Sequence, residues 1–552
     1  MAQVRQVQRW WRETGWLLVA PIVFFTLALS VGQQKGSYWL ATRSDPEYIY
    51  LLNALNIANL QPPGYIDHPG TPVHLMGAIV LRFTNLVRGL VAPTTGFTES
   101  VLQQPELYLT VFNLVILVLM AGLIALVGFV AFRWCHQYLP SISLQWTPLL
   151  MATPLASANR VNPEPVLFCI SQCLVVLLLF YLHQENLEKH RRFAVCLGVL
   201  VGLGLATKVT YLPVLLVIAL LPTMHLQLIM VLVTIATGFV CTLPIAYRYG
   251  DVISWLLSIF LHTGNYGYGE AGIINLETVL PNVVTMLKAD PGVFIVPGSA
   301  VILWICLQRY QQRSCNTTTP SQTQPSQTQP SQTQKSHRLS IVLLLICAGQ
   351  LLMAVKHPVP LLDGDVELRY LMPAIALSGL LLYCQLQLAQ QLLSSTQRIA
   401  HIMLLLVVLC VCITAHQSWY ALQASITYRN NATAIDRQLN DQFPTCLVAS
   451  YYRSSSPEFA LWFGNGYANE AYANTLATLY PSQLFYHLWR QTFESFASKV
   501  KNSPAVLDEL LKQPCFLLRG SPMSVADQRR HFPTISLVPV ISTSSEVVYK
   551  LE

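Results

Sequence analysis

The sequence predicts a polytopic α-helical membrane protein of about eleven spans, followed by a small α/β domain on the outer side of the membrane. Three observations lead there. Only 11% of the 552 residues are charged and 53% are hydrophobic, whereas a soluble domain carries about a quarter charged residues. Apolar runs such as Leu114 to Val130 and Ile341 to Val355 recur along the chain, and a hydrocarbon core near 30 Å needs about 20 such residues per helical crossing. After residue 425 the pattern changes to short apolar runs punctuated by Pro, Ser and Asn.

Spans are expected near 16–32, 107–132, 143–158, 164–182, 194–206, 212–222, 228–245, 292–309, 339–355, 370–390 and 400–417. The first follows three arginines (Arg5, Arg9, Arg12) without a small-residue cleavage site, so it reads as an uncleaved span and not a signal peptide. With that basic N-terminus cytoplasmic, the same side receives Arg133, the loop with Lys189, Arg191 and Arg192, and the loop with Arg309, Arg313, Lys335 and Arg338. The C-terminus then lies outside, and a bacterial inner membrane is the expected location. The formal charge of +7 is explained by these flanking clusters, which leaves membrane lipids as partners and nucleic acid excluded.

The odd span count depends on a break at Thr207-Lys208, because the runs on either side are each short for a 30 Å core. A single continuous helix would bury Lys208 in mid-membrane and invert every later loop; two short helices keep the basic loops on one side. Residues 310–338 contain three PSQTQ units with almost nothing apolar to bury, and read as a disordered cytoplasmic loop. In the region 426–552, the runs CLVASYY, CFLLRG and EVVYKLE suggest strands, and Ser456-Pro457 marks a helix start. The stretch from there to about residue 512 reads as helical. Most of the 13 cysteines lie in apolar runs without CxxC pairs. Cys446 and Cys515, in the polar region, are candidates for a disulfide.

The first outer loop, 33–105, is chemically the richest segment. Ser44 or Asp45 could cap a helix, with Pro46 in its first turn and Glu47 closing a capping box. A carboxylate at the membrane boundary could equally take the proton of an attacking hydroxyl or amine, and Asp45 is the first choice for that base. Glu47 is then its partner, an alternative base, or with Asp45 half of a Mg²⁺ or Mn²⁺ site, since two hard oxygen ligands are a minimal start for either ion. A Pro/Gly-rich turn holding Asp67 and His68 follows. Glu164 lies at the lip of an apolar run, where an acid is costly unless paired, and Arg160 is four residues before it. Lys208 and Arg369 are cations positioned to meet an anionic leaving group, or else a snorkelling side chain and a boundary anchor. His262 sits in a Gly/Tyr-rich loop that reads as a surface turn or a sugar-stacking element, and Asp363, Asp365 and Glu367 precede Arg369.

These segments together resemble the GT-C superfamily of membrane glycosyltransferases, in the branch of the protein O-mannosyltransferases and the lipid A aminoarabinose transferase. Asp45-Pro46-Glu47 with Tyr48 looks like the acidic motif of the first outer loop. The segment Pro63-Gly64-Tyr65 to His68-Pro69-Gly70 is similar to the proline-rich turn ahead of an amphipathic helix. Asn162-Pro163-Glu164 resembles the second acidic site, Ala206-Thr207-Lys208 the Thr-Lys motif, and Glu367 to Pro373 the Arg-Tyr-Leu-x-Pro entry to a late span. The likeness covers residues 1 to 425. It implies an inverting transferase that moves a sugar from a polyprenyl-phosphate donor to a lipid, glycan or protein acceptor. Asp45 and Glu47 would be catalytic, and Lys208, Arg369, Arg160, Glu164, His68, His262 and Tyr370 would bind the donor phosphate or substrate. The doublet Asp-x-Glu, the PSQTQ insert and the C-terminal domain depart from the pattern. The competing reading is a transporter or flippase, but no internal repeat is evident and the polar groups collect at span ends and in loops rather than at mid-membrane.

Overall fold

A computed structural model describes residues 14–40, 44–91, 96–264, 267, 269–317, 332–356, 368–392, 396–496, 510, 512–533 and 535–552. Eight of the helices in it are long and apolar enough to cross a membrane: Gly15–Lys35, Thr71–Val91, Pro105–Cys135, Pro163–His183, Met224–Leu261, Gly292–Tyr310, Gln332–Lys356 and Leu368–Gln390. Thr71–Val91, expected only as an amphipathic helix of the outer loop, is one of them. One side of it is strongly apolar and exposed, with Ile79, Phe83, Leu86, Leu90 and Val91, as a lipid-facing surface is.

The expected span 143–158 is not one helix. It divides into Tyr138–Trp146, a 3₁₀ turn Thr147–Leu149 and Ala152–Ser157, because Pro148 and Pro154 each remove a helix hydrogen bond. The break at Lys208 is present. The helix Arg191–Thr207 stops there, Lys208 is extended, and a 3₁₀ helix Val209–Leu220 leads away. That second helix runs antiparallel to Gln332–Lys356, since Gln350 donates to the Thr210 carbonyl at 2.6 Å and Arg338 to that of Ala219. The tighter winding explains how a short run suffices: at about 2.0 Å rise per residue, the 12 residues of Val209–Leu220 reach roughly 24 Å.

The helices Gly292–Thr317 and Gln332–Lys356 cover both flanks of the segment expected as a loop over 310–338. The first two PSQTQ units and the start of the third, along with Asp363, Asp365 and Glu367, fall outside the described residues; Gln332-Thr333-Gln334 of the third open the helix Gln332–Lys356. The segment between the expected spans 228–245 and 292–309 is largely helical, as Tyr249–Leu261 and Leu276–Ala289.

Thr396–Gln442 is a continuous 47-residue helix that runs through position 425 and into the C-terminal domain. Its last turns bury Ile435 and Leu439 against Leu517, Ile541 and Val548 of a six-stranded mixed sheet. The strands are β1 (Leu447–Tyr451), β2 (Leu484–His487), β3 (Thr492–Glu494), β4 (Phe516–Gly520), β5 (Leu537–Ser542) and β6 (Val547–Leu551), in the order β3-β2-β1-β4-β6-β5. β1, β4 and β6 coincide with the three runs singled out in the sequence. β2 and β3 correct the helical reading of that region: their aromatic residues Phe485, Tyr486 and Phe493 fill the sheet's core. Ser456 caps the helix Pro457–Gly466 through the Phe459 amide at 3.1 Å, and Cys446 and Cys515 form a disulfide that joins the start of β1 to β4.

Candidate functional site

The C-terminal domain sits directly on the helix that carries the acidic motif. Pro457–Gly466 packs along Ser44–Ala58 so closely that a Cβ on Gly464 would lie 2.8 Å from the Tyr48 carbonyl oxygen. Asn53 and Asn56 donate to the carbonyls of Tyr467 and Ala468 at 3.3 and 3.1 Å. On its other side the same helix is tied to the bundle by Glu106, which accepts from the Tyr48 hydroxyl at 2.9 Å and the Tyr38 amide at 2.9 Å. Asp45 and Glu47 are therefore fixed between the membrane helices and the sheet domain.

The Asp45–Pro46 peptide is cis, and Asp45 itself has non-helical dihedrals. The capping reading fails for Glu47, whose carboxylate is fully buried and gripped from both sides by Arg160: Nε donates to Oε1 at 2.7 Å and Nη2 to Oε2 at 3.0 Å. The same Nη2 donates to the Asp45 carbonyl oxygen at 2.8 Å. A planar fork suits this bidentate grip better than a lysine would. Arg160 was expected as a possible partner of Glu164; it bonds Glu47 instead, because Pro163 starts the next helix and leaves residue 160 in the preceding turn. With both Glu47 oxygens taken by Arg160, the doublet does not offer two open carboxylates to a cation. Among the described residues no group of three or more His, Cys, Asp or Glu side chains could hold a metal.

Glu164 bonds Lys208, with Oε1 2.5 Å from Nζ, and lies 3.7 Å from Arg369 Nε. Both Glu164 and Lys208 are almost fully buried, so neither snorkels. The extended break at residue 208 is what turns the lysine toward Glu164. Tyr370 lies under both cations, its ring centre 4.6 Å from Lys208 Nζ and 5.6 Å from the Arg369 guanidinium carbon.

Asp45 links the two ion-paired groups. Its side chain is exposed, yet it lies in a recess of protein, and its carboxyl pKa is raised above the ordinary carboxylate value. Desolvation is the largest cause and Glu47 adds to it, while Arg369, Arg160 and Arg453 pull the other way. Arg453 went unnoticed in the sequence. It follows β1, has a positive φ of 61°, and its loop is anchored from below by Ser455, whose amide donates to Glu546 and whose carbonyl accepts from Arg519. Its only signal in the sequence is a lone arginine after a strand.

His68, with positive φ, packs edge-on against Trp255 at 4.9 Å. Its turn is clamped by Tyr247 and Arg248, which donate to the carbonyls of Pro63 and Gly64 at 2.8 and 3.0 Å. Asp67 beside it is raised by burial, with Arg248 opposing. His262 ends a helix and bridges Ala271 in a turn.

No family model and no curated protein matches the chain. Among solved structures, ArnT from Cupriavidus metallidurans in the apo state is similar with a TM-score of 0.51 at 15% identity, over 97% of this chain and 98% of that one. The same protein bound to undecaprenyl phosphate gives a TM-score of 0.49 at 13% identity over the same shares. The chain shares the overall fold of the apo-state protein over 97% of its length.

Proposed function

We propose that the chain is an inverting glycosyltransferase that takes its sugar from a polyprenyl-phosphate donor at the outer face of a bacterial inner membrane. The observation that carries this reading is the arrangement around Asp45: an exposed carboxyl whose proton affinity is raised, in the field of Arg369, beside the Lys208–Glu164–Arg369 group. A base works best when its pKa approaches the working pH, and desolvation moves Asp45 that way.

The acceptor hydroxyl or amine attacks the anomeric carbon from the side opposite the phosphate. Asp45 takes its proton as the new bond forms, and the anomeric C–O bond breaks with its electron pair leaving on the polyprenyl phosphate. Lys208 and Arg369 stabilise the charge that develops there, in a place where water is scarce and fixed cations act strongly. Arg160 orients the site through Glu47 and the Asp45 carbonyl.

The outer location is supported by two features. Lys189, Arg191, Arg192, Lys335 and Arg338 collect at the end of the bundle away from the site, as cytoplasmic loops do. The Cys446–Cys515 disulfide suits an oxidising compartment. The test is release of polyprenyl phosphate and transfer of labelled sugar by the purified protein in nanodiscs, across synthetic donors bearing pentoses, hexoses and aminosugars. Transfer from one of them is expected. No transfer from any donor, together with solute uptake into proteoliposomes, would establish the transporter reading.

A further inference from the structure

The C-terminal domain contains a second feature that the transfer chemistry does not use. Between the helix Pro457–Gly466 and the β2–β3 hairpin lies a cavity of about 420 Å³, within the roughly 300–1,000 Å³ typical of small-molecule sites. Its walls are aromatic. Trp462 stacks on Phe485 at 5.0 Å, with the planes 14° apart, and meets His487 edge-on. Trp489, on the turn between β2 and β3, stands edge-on to Tyr452 at 5.9 Å and is 72% exposed. Its ring is available to a molecule entering the cavity.

The polar lining carries two carboxylates, one guanidinium and one imidazole. Glu494 is buried and accepts from Arg490 at 3.3 Å and Thr492 at 3.1 Å, and Glu470 and His487 complete the rim. A strongly anionic headgroup meets two carboxylates here, and a hydrocarbon chain would strand the polar rim. A sugar ring matches both surfaces, since its C–H faces pack on indole and its hydroxyls exchange hydrogen bonds with carboxylate, imidazole and guanidinium groups.

The cavity adjoins the acidic motif. Tyr452 lines it, and the next residue is Arg453, whose charge acts on Asp45. Tyr467 lines it too, and that residue packs on Tyr65 and accepts from Asn53 of the motif helix. We propose that this cavity is a saccharide-binding site that holds sugar residues of the acceptor while its terminal hydroxyl reaches Asp45, so that the acceptor is a glycan or glycoconjugate. The assignment of an acceptor rests on the transferase reading; the binding of saccharide does not.

The experiment is calorimetric titration of the full-length protein in nanodiscs with maltotetraose, cellotetraose, chitotetraose and mannotetraose. At least one is expected to bind saturably, with Trp489→Ala weakening its Kd about tenfold, the scale of one lost aromatic contact, and Trp489→Phe keeping most of it. If none binds, or if Trp489→Ala binds as the wild type does, the site is refuted even where sugar transfer proceeds. Saccharide binding in a protein that transfers from no donor would refute the transferase reading and leave the site standing.

Discussion

Two buried ion-paired groups sit at opposite ends of the helical bundle, and they are built differently. At the end away from the sheet domain, Lys335 places its ammonium against the Glu188 carboxylate at 2.8 Å and the carbonyls of Gln184 and Tyr181 at 2.9 and 3.4 Å. Three donors meet three acceptors, and nothing is left over. At the domain end Glu164 keeps one buried oxygen without a hydrogen bond among the described residues, and Arg369 stands 3.7 Å from the other. Asp45 remains open beside them. A closed pair locks helices together. Two cations sharing one buried carboxylate leave positive charge in excess, which an anionic leaving group can meet.

Five substitutions would break or sharpen this contrast. Lys335→Ala strands the buried Glu188 and should cost about 3–5 kcal/mol of stability, read as a lowered midpoint of denaturation in detergent, while the transfer rate per folded molecule stays at the wild-type level. Arg369→Ala should do the reverse. It should lower the rate on a polyprenyl-phosphate donor by about 10²–10³-fold with little change in midpoint, because Lys208 still holds Glu164. A rate within a factor of a few of wild type would move Arg369 from leaving-group stabiliser to boundary anchor.

Cys446→Ser opens a disulfide spanning 69 residues and should cost about 2–4 kcal/mol, seen as earlier melting of the sheet domain. The smallest effect is on pH dependence. Asp45 must be ionised to accept a proton, so activity should fall as pH drops through its raised pKa, on an acid limb above the ordinary carboxylate range. Arg453→Ala removes a cation that favours the ionised form and should move that limb to higher pH. Glu47→Gln removes a negative neighbour and should move it lower. Movement of both in the same direction would contradict the placement of Arg453 and Glu47 about Asp45.

Much of the domain-end group was legible because charges at the lips of apolar runs are expensive and so stand out. Asp45, Glu47, Arg160, Glu164, Lys208 and Arg369 were all visible in this way, and the Lys208 break followed from run length and the placement of basic loops. The pairing was not legible. Sequence proximity suggested Arg160 with Glu164, whereas the fold joins Arg160 to Glu47 across 113 positions and Lys208 to Glu164 across 44. Long-range partners depend on helix packing that hydropathy does not encode.

Arg453 was hidden for a different reason: in a polar, water-exposed region one more arginine carries no signal. Strands β2 and β3 were lost because each is too short for alternation to stand out from a helical pattern. The segment at 138–157 has the hydropathy of a span, and only Pro148 and Pro154 signal that it breaks.

The central claim is that Asp45 is the base beside a cationic leaving-group site, and Asp45→Asn tests it most directly. With purified protein, a labelled polyprenyl-phosphate sugar and a competent acceptor, the variant should bind donor as the wild type does and transfer about 10²–10⁴-fold more slowly. Transfer at the wild-type rate would contradict the account.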